Sequence, residues 1–254
     1  MRFFSRFEHH WANSAASAAV ILVVAIVIQQ SLADSLSVVA VMYQSPGLHD
    51  IAATAHTVWM VVNFLLAVPV VVAWFLQKRE AFFISLSVAQ FVVTAELLIN
   101  VGLLVADPVV HGISGAVTLL RDNVLLILIN VLIFSIWYYI LDTHDYIKKD
   151  ATKVERWQFL FPQRSAQIPG YDTWRPNYID YLFLATVTIF TFGPADTLPL
   201  SRRAKVCMAI EIIVSRVTLK RLAPALSYRL TNGGALQPRP TAPRIPSLLG
   251  SAAR

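Results

Sequence analysis

Apolar residues in this chain come in long unbroken runs, and polar residues separate the runs more often than they interrupt them. Residues 11–30 form the first run and contain no charged side chain. A helix of that length reaches about 30 Å at about 1.5 Å per residue, which matches the hydrocarbon thickness of a bilayer. Further runs at 51–76, 81–105 and 123–141 predict three more spans. Polar punctuation separates them: Pro46, Gly47 and Asp50; then Lys78, Arg79 and Glu80; then Asp107-Pro108 and Arg121-Asp122. Trp137, Tyr138 and Tyr139 close the fourth run and predict an interfacial aromatic belt.

Residues 142–178 predict a polar connector with Lys148, Lys149, Lys153, Arg156, Arg164 and Arg175. Its Trp157, Phe159, Phe161 and Trp174 suggest a segment lying in the headgroup layer. A shorter apolar run, 181–192, ends at Gly193-Pro194-Ala195-Asp196. Twelve residues of helix reach only about 18 Å, so this run predicts a re-entrant half-helix. Irregular backbone at membrane depth is tolerated only where protein or water surrounds it. The alternative is a full crossing that recruits residues 178–180 and the Gly-Pro-Ala segment. The last span, 205–222, carries Arg216, Lys220 and Arg221 in its second half, positions that suit snorkelling to an interface. From 231 onward, Gly233-Gly234 and repeated proline predict disorder.

The predicted fold is therefore all-α: a polytopic transmembrane helical bundle with a re-entrant half-helix, or alternatively six full transmembrane helices. Its parts are a four-helix region (1–141), a basic and aromatic connector (142–178), a half-helix with the last span (179–230), and a tail (231–254).

Composition agrees. The chain is 56% hydrophobic and 14% charged, against about a quarter charged in soluble proteins. The net charge of +6 sits at membrane edges, so it points to a lipid bilayer as partner and not to nucleic acid. Arg2, Arg6, Lys78, Arg79 and the connector's basic residues fall on one side of the spans. The positive-inside rule then predicts a cytoplasmic N-terminus and a cytoplasmic connector. The first span is expected to stay uncleaved, although Ser31-Leu32-Ala33 resembles a signal-peptidase site. The single cysteine, Cys207, permits no disulfide within the chain and no Cys/His metal spacing.

Residues 191–201 read Thr-Phe-Gly-Pro-Ala-Asp-Thr-Leu-Pro-Leu-Ser. This segment resembles the selectivity-filter region of potassium channels, Thr-Val-Gly-Tyr-Gly-Asp followed by Pro. Thr191, Gly193, Asp196 and Pro199 fall in register, behind a short apolar helix and ahead of a long one. Patches at 137–139, 159–163 and 195–205 also resemble uncharacterised bacterial multi-pass membrane proteins. The resemblance implies an ion-channel-like protein of a bacterial inner (plasma) membrane, a monovalent cation as permeant partner, and a homo-oligomer, a tetramer if channel-like. It implies pore or filter roles for Thr188, Thr191, Phe192, Gly193, Pro194, Ala195 and Asp196.

Two positions depart from the pattern. Pro194 replaces the filter aromatic and Ala195 the second glycine. Proline fixes φ and removes an N–H, and filter carbonyls need backbone that glycine allows. A wider cation pathway and a non-conducting scaffold or accessory subunit both stay open. Potassium channels also place this hairpin's entry on the extracellular side, opposite to the charge count.

Polar residues inside the spans form a second set. Glu96 and Asn100 share a face of the third span, as four-residue spacing requires. His56 and Asn63 lie in the second span, Asn123 and Asn130 in the fourth, and Glu211 in the last. Ionisable groups at membrane depth are costly and usually face a bundle interior. One reading is a water-lined path formed by His56, Glu96, Asn130 and Glu211. The other is interhelical hydrogen bonding that fixes packing. No nucleophile–base motif, metal-ligand spacing or cofactor loop stands out, so an enzyme is not expected. Asp142, His144 and Asp145 predict a solvated turn.

Overall fold

A computed structural model describes residues 2–36, 49–106, 112–147, 157–165, 169–170, 174–193 and 196–233. Among them are seven helices and one short strand pair. The long helices are α1 (Arg2–Leu36), α2 (His49–Phe75), α3 (Arg79–Ala106) and α4 (Gly112–Ile147). Then come β1 (Phe159–Leu160), α5 (Pro162–Ser165), α6 (Tyr178–Thr191), β2 (Leu198–Pro199) and α7 (Arg202–Gly233). Stretches of α1 to α4 at Ala12–Leu32, Thr57–Phe75, Arg79–Gly102 and Leu120–Thr143 are long and apolar enough to cross a membrane. The chain is thus an all-helical bundle built for a membrane. Each helix extends past its apolar run, since lipid thickness sets the hydrophobic stretch and not the helix length.

Side-chain ties fix how the helices run. The Trp74 indole donates to the Ala12 carbonyl at 3.1 Å, joining the end of α2 to the start of α1. Gln29 at the far end of α1 donates to the Val93 carbonyl of α3 at 3.0 Å. Gln90 donates to the Ile133 carbonyl at 2.7 Å, and the Trp137 indole donates to the Thr94 hydroxyl at 2.9 Å. Phe83 lies against Tyr139 while Gln90 meets Ile133, a falling register that makes α3 and α4 antiparallel, and the pairing of Asn63 with Glu96 beyond the turn does the same for α2 and α3. The turn from α2 to α3 uses Gln77 in the left-handed region (φ 53). The Lys78 N–H then reaches the Ala73 carbonyl and caps α2 in Schellman fashion.

Helix α4 is the centre: 67% of its span is buried, against 22% for α2. It packs most extensively on α7, and also on α6, α1 and α3. The aromatic run at its end does not form the expected belt. Tyr138 and Tyr139 are buried, and only Trp137 is partly exposed. Successive helical residues point about 100° apart, so three in a row cannot all face an interface. Tyr139 packs against Phe83, Tyr178 and Tyr181, with ring centroids 5.7 to 5.8 Å apart.

The connector also departs from expectation. Phe159 and Phe161 are core residues, not headgroup anchors. Phe159 packs edge-on to Tyr138 at 5.0 Å, and Phe161 meets Tyr181 and Trp174 at 5.7 Å. Their anchor is Asp142, whose carboxylate accepts the backbone N–H groups of Gln158 (3.0 Å) and Phe159 (3.3 Å). It also accepts the Tyr181 hydroxyl (2.7 Å) and pairs with Arg164 at 3.1 Å. Arg164 in turn donates to the Phe159 carbonyl at 2.8 Å and lies over the rings of Trp157 and Phe161. Asp142 is thus a sealed structural anchor and not part of a solvated turn; the side chains of His144 and Asp145 fall outside the described residues.

Helix α6 starts three residues before its apolar run because Asn177 caps it. The Asn177 side chain accepts the N–H of Ile179 (2.8 Å) and Asp180 (3.3 Å), and Asp180 accepts the Asn177 N–H at 2.7 Å. This is a capping box. Asn177→Ala is expected to cost about 1 kcal/mol, read as a lower melting midpoint in detergent with α4 contacts retained. Downstream, α7 continues as helix to Gly233, three residues into the stretch expected to be disordered; residues 234–254 lie outside the described residues.

Candidate functional site

The chain on either side of α6 returns to one place. β1 and β2 pair antiparallel, Phe159 opposite Pro199 and Leu160 opposite Leu198. The Leu200 N–H adds a bond to the Gln158 carbonyl at 2.9 Å. Because β1 is tied to Asp142, both strands sit at the α4 C-terminal end of the bundle. Phe192, at the other end of α6, lies under the Arg216 guanidinium, 4.7 Å from the ring centroid. Arg216 is fourteen residues into α7, about 21 Å along its axis.

The described part of the segment resembling a filter begins as the C-terminal cap of α6. Phe192 takes the left-handed conformation (φ 55, ψ 34) as the C-cap of α6, a conformation that costs a non-glycine residue about 1–3 kcal/mol. Gly193 does not hold the left-handed position, and a Cβ there would meet nothing within 4 Å. The Thr191 hydroxyl lies 2.8 Å from the Val187 carbonyl and 2.6 Å from the Gly193 carbonyl. It has one proton to share between them. The Gly193 carbonyl is therefore folded back on the helix end. Asp196 is exposed and accepts the Thr197 hydroxyl at 3.2 Å, while Thr197 itself is buried. Pro194 and Ala195 lie outside the described residues.

Thr188 is separated from the other filter-like positions. It is fully buried, donates to the Leu184 carbonyl at 2.8 Å, and is a hydrogen-bonding neighbour of Tyr138. One chain's own packing covers it. Thr191, Phe192 and Asp196 remain on the surface of a single copy.

The polar residues expected at membrane depth fall into two groups, Glu96 on the α2–α3 pair and Asn130 with Glu211 on the α4–α7 pair. Between α2 and α3, Glu96 accepts the Asn63 amide at 3.2 Å and is also bonded by the Trp59 side chain. Asn100 is buried one turn further on, and the side chain of His56 falls outside the described residues. Between α4 and α7, the Tyr138 hydroxyl donates to Glu211 Oε2. The Asn130 amide donates to the Ser215 hydroxyl at 2.8 Å, and that hydroxyl donates to the Glu211 carbonyl at 2.6 Å. Sequence reading missed Tyr138, Ser215 and Trp59. The four-residue spacing of Glu211 and Ser215 was the available signal for one of them.

Fold and site together define a class: an all-helical, membrane-embedded bundle carrying a capped short helix and two buried glutamates, Glu96 and Glu211, on separate helix pairs. No family model, no curated protein and no solved structure matches this chain.

Proposed function

We propose that the chain is an ion-channel-like protein of a bacterial inner membrane. In this reading α6, its turn and β2 form a re-entrant hairpin, and α7 is a fifth span. The observation that carries the reading is the β1–β2 pair: it brings the chain before and after α6 to one end, while Phe192 lies beside Arg216 well along α7. Helix α6 has fourteen residues, about 21 Å, too short for a lipid crossing of about 30 Å. A fifth span is supported by the packing of α7 along α4, a helix able to span, through Tyr138–Glu211 and Asn130–Ser215.

The end that holds the hairpin carries more basic residues than the far end, where Arg121, Arg216, Lys220 and Arg221 lie. It gathers Lys78, Arg79, Arg175, Arg202, Arg203 and Lys205. The positive-inside rule makes this end cytoplasmic, so the hairpin enters from the opposite side to that of potassium channels. One copy cannot enclose a path. Exposed Val206, Ile210 and Ile213 on α7 and Phe183 and Phe190 on α6 give an apolar face for neighbouring copies or lipid. A symmetric homo-oligomer would gather the Thr191–Asp196 segments, with Asp196 supplying charge for a monovalent cation at the mouth.

The engaged Gly193 carbonyl favours a second reading, a non-conducting scaffold or accessory subunit that keeps the hairpin for packing. Two measurements separate these. Arg175→Cys and Leu200→Cys, each in a Cys207→Ser background, are expected to react with an impermeant thiol reagent from the same, cytoplasmic face. Labelling from opposite faces would rule out re-entry. Cation flux into proteoliposomes is expected, reduced severalfold in Asp196→Asn; no flux from a folded oligomer would leave the scaffold.

A further inference from the structure

We infer that Glu211 is a proton-binding site, its carboxyl holding a proton inside the seam where α4, α6 and α7 meet. The inference rests on donor and acceptor placement in that seam and stands whether or not the hairpin conducts.

Glu211 is fully buried. Counting from Arg202, it lies nine residues into α7, about 14 Å along the axis and so near the middle of a bilayer. Its Oε2 receives the Tyr138 hydroxyl; its Oε1 has no hydrogen-bond partner among the described residues. The surrounding donors are committed elsewhere. Ser215 donates to the Glu211 carbonyl, the Asn130 amide to Ser215, and Thr188 to the Leu184 carbonyl. The other uncommitted atom of this seam is also an acceptor, Asn130 Oδ1. No donor of the seam reaches Glu211 Oε1, and a proton supplies one.

No positive side chain faces the carboxyl among the described residues. The titratable neighbours are Tyr138 from α4 and Cys207 from α7 itself; α6 contributes Thr188, and α3 contributes no charged group. Arg216 is exposed and directed over Phe192. An ionised carboxylate here would keep a full charge in low dielectric against a single hydroxyl donor, an arrangement that buried charges do not sustain. A bare metal ion fits poorly, because hard cations take about six oxygens and only two acceptor atoms of the seam are uncommitted. The proton comes from bulk water, forms the carboxyl O–H and returns to water on release; no other bond changes.

Infrared difference spectra of the full chain in lipid nanodiscs, taken between acid and alkaline pH, test this. At neutral pH a carboxylic-acid C=O band is expected that disappears in Glu211→Gln, persists in Glu96→Gln, and shifts in Tyr138→Phe as the carbonyl loses its hydroxyl donor. The absence of an acid band from the wild-type chain at neutral pH overturns the inference. So does a band that Glu211→Gln leaves unchanged. Should Glu211→Gln fail to fold, the Tyr138→Phe spectrum decides, and an unshifted band there overturns it.

Discussion

Asp142→Ala is expected to destabilise the bundle by about 3–5 kcal/mol, because it removes one side of a buried ion pair. Asp142 is 0% exposed and the Arg164 side chain 5%. The substitution removes the shared acceptor of the Arg164 guanidinium, two backbone N–H groups and the Tyr181 hydroxyl at once. Each unsatisfied buried donor carries its own desolvation cost. The loss spreads beyond the pair, since Asp142 holds β1 against α4 and β1 holds β2. Thermal unfolding in detergent reads the effect, and a double-mutant cycle assigns it. Asp142→Leu with Arg164→Met is expected to cost less than the two single changes summed, because no charge is then left alone. An unchanged melting midpoint for Asp142→Ala would refute the anchoring role.

How much of this was legible in the sequence follows from which force acts at each place. Lipid solvation acts on every residue of a span, so runs such as 123–141 announce helices by length alone, and α1 to α4 coincide with their expected spans. The short helix was legible for the same reason: its run is too brief, and Asn177 with Asp180 supplies a start signal. The Asp142 anchor was not legible. It joins residues sixteen to thirty-nine positions apart, and no local pattern distinguishes Arg164 from the other basic residues of the connector. The connector's aromatics misled in a related way. An aromatic beside lysines reads as a headgroup residue, yet Phe159 and Phe161 are carried into the core by bonds their own side chains do not make.

The site shows the same division. Glu96, Asn130 and Glu211 stood out because polar groups at membrane depth are rare, and all three are buried. Their grouping was hidden, since helix adjacency decides it: Glu96 finds α2 while Glu211 finds α4. At the filter-like segment, spacing identified Thr191 and Gly193, but spacing does not report hydroxyl direction. Thr191 turns its hydroxyl back on the Val187 and Gly193 carbonyls, so the Gly193 carbonyl is engaged at the helix end, whereas filter carbonyls face an ion.

Adjacent tyrosines of α4 give the sharpest contrast. Tyr139→Ala is expected to cost about 3–5 kcal/mol, the range for emptying a large aromatic site. The ring is 2% exposed and touches Phe83, Tyr178 and Tyr181, so its loss opens a void where α3, α4 and α6 meet. Tyr139→Phe is expected to be neutral or slightly stabilising: the Tyr139 hydroxyl is buried with no partner among the described residues, and removing it ends a desolvation cost. Tyr138→Phe should behave in the opposite way. Its hydroxyl serves Glu211, and deleting it strips a buried carboxyl of its donor at a cost of about 1–3 kcal/mol. Melting midpoints of the three variants in one detergent give the ranking directly. Equal losses for the two phenylalanine variants would mean that the Tyr139 hydroxyl has a partner after all, and that these neighbouring rings do not divide packing from hydrogen bonding.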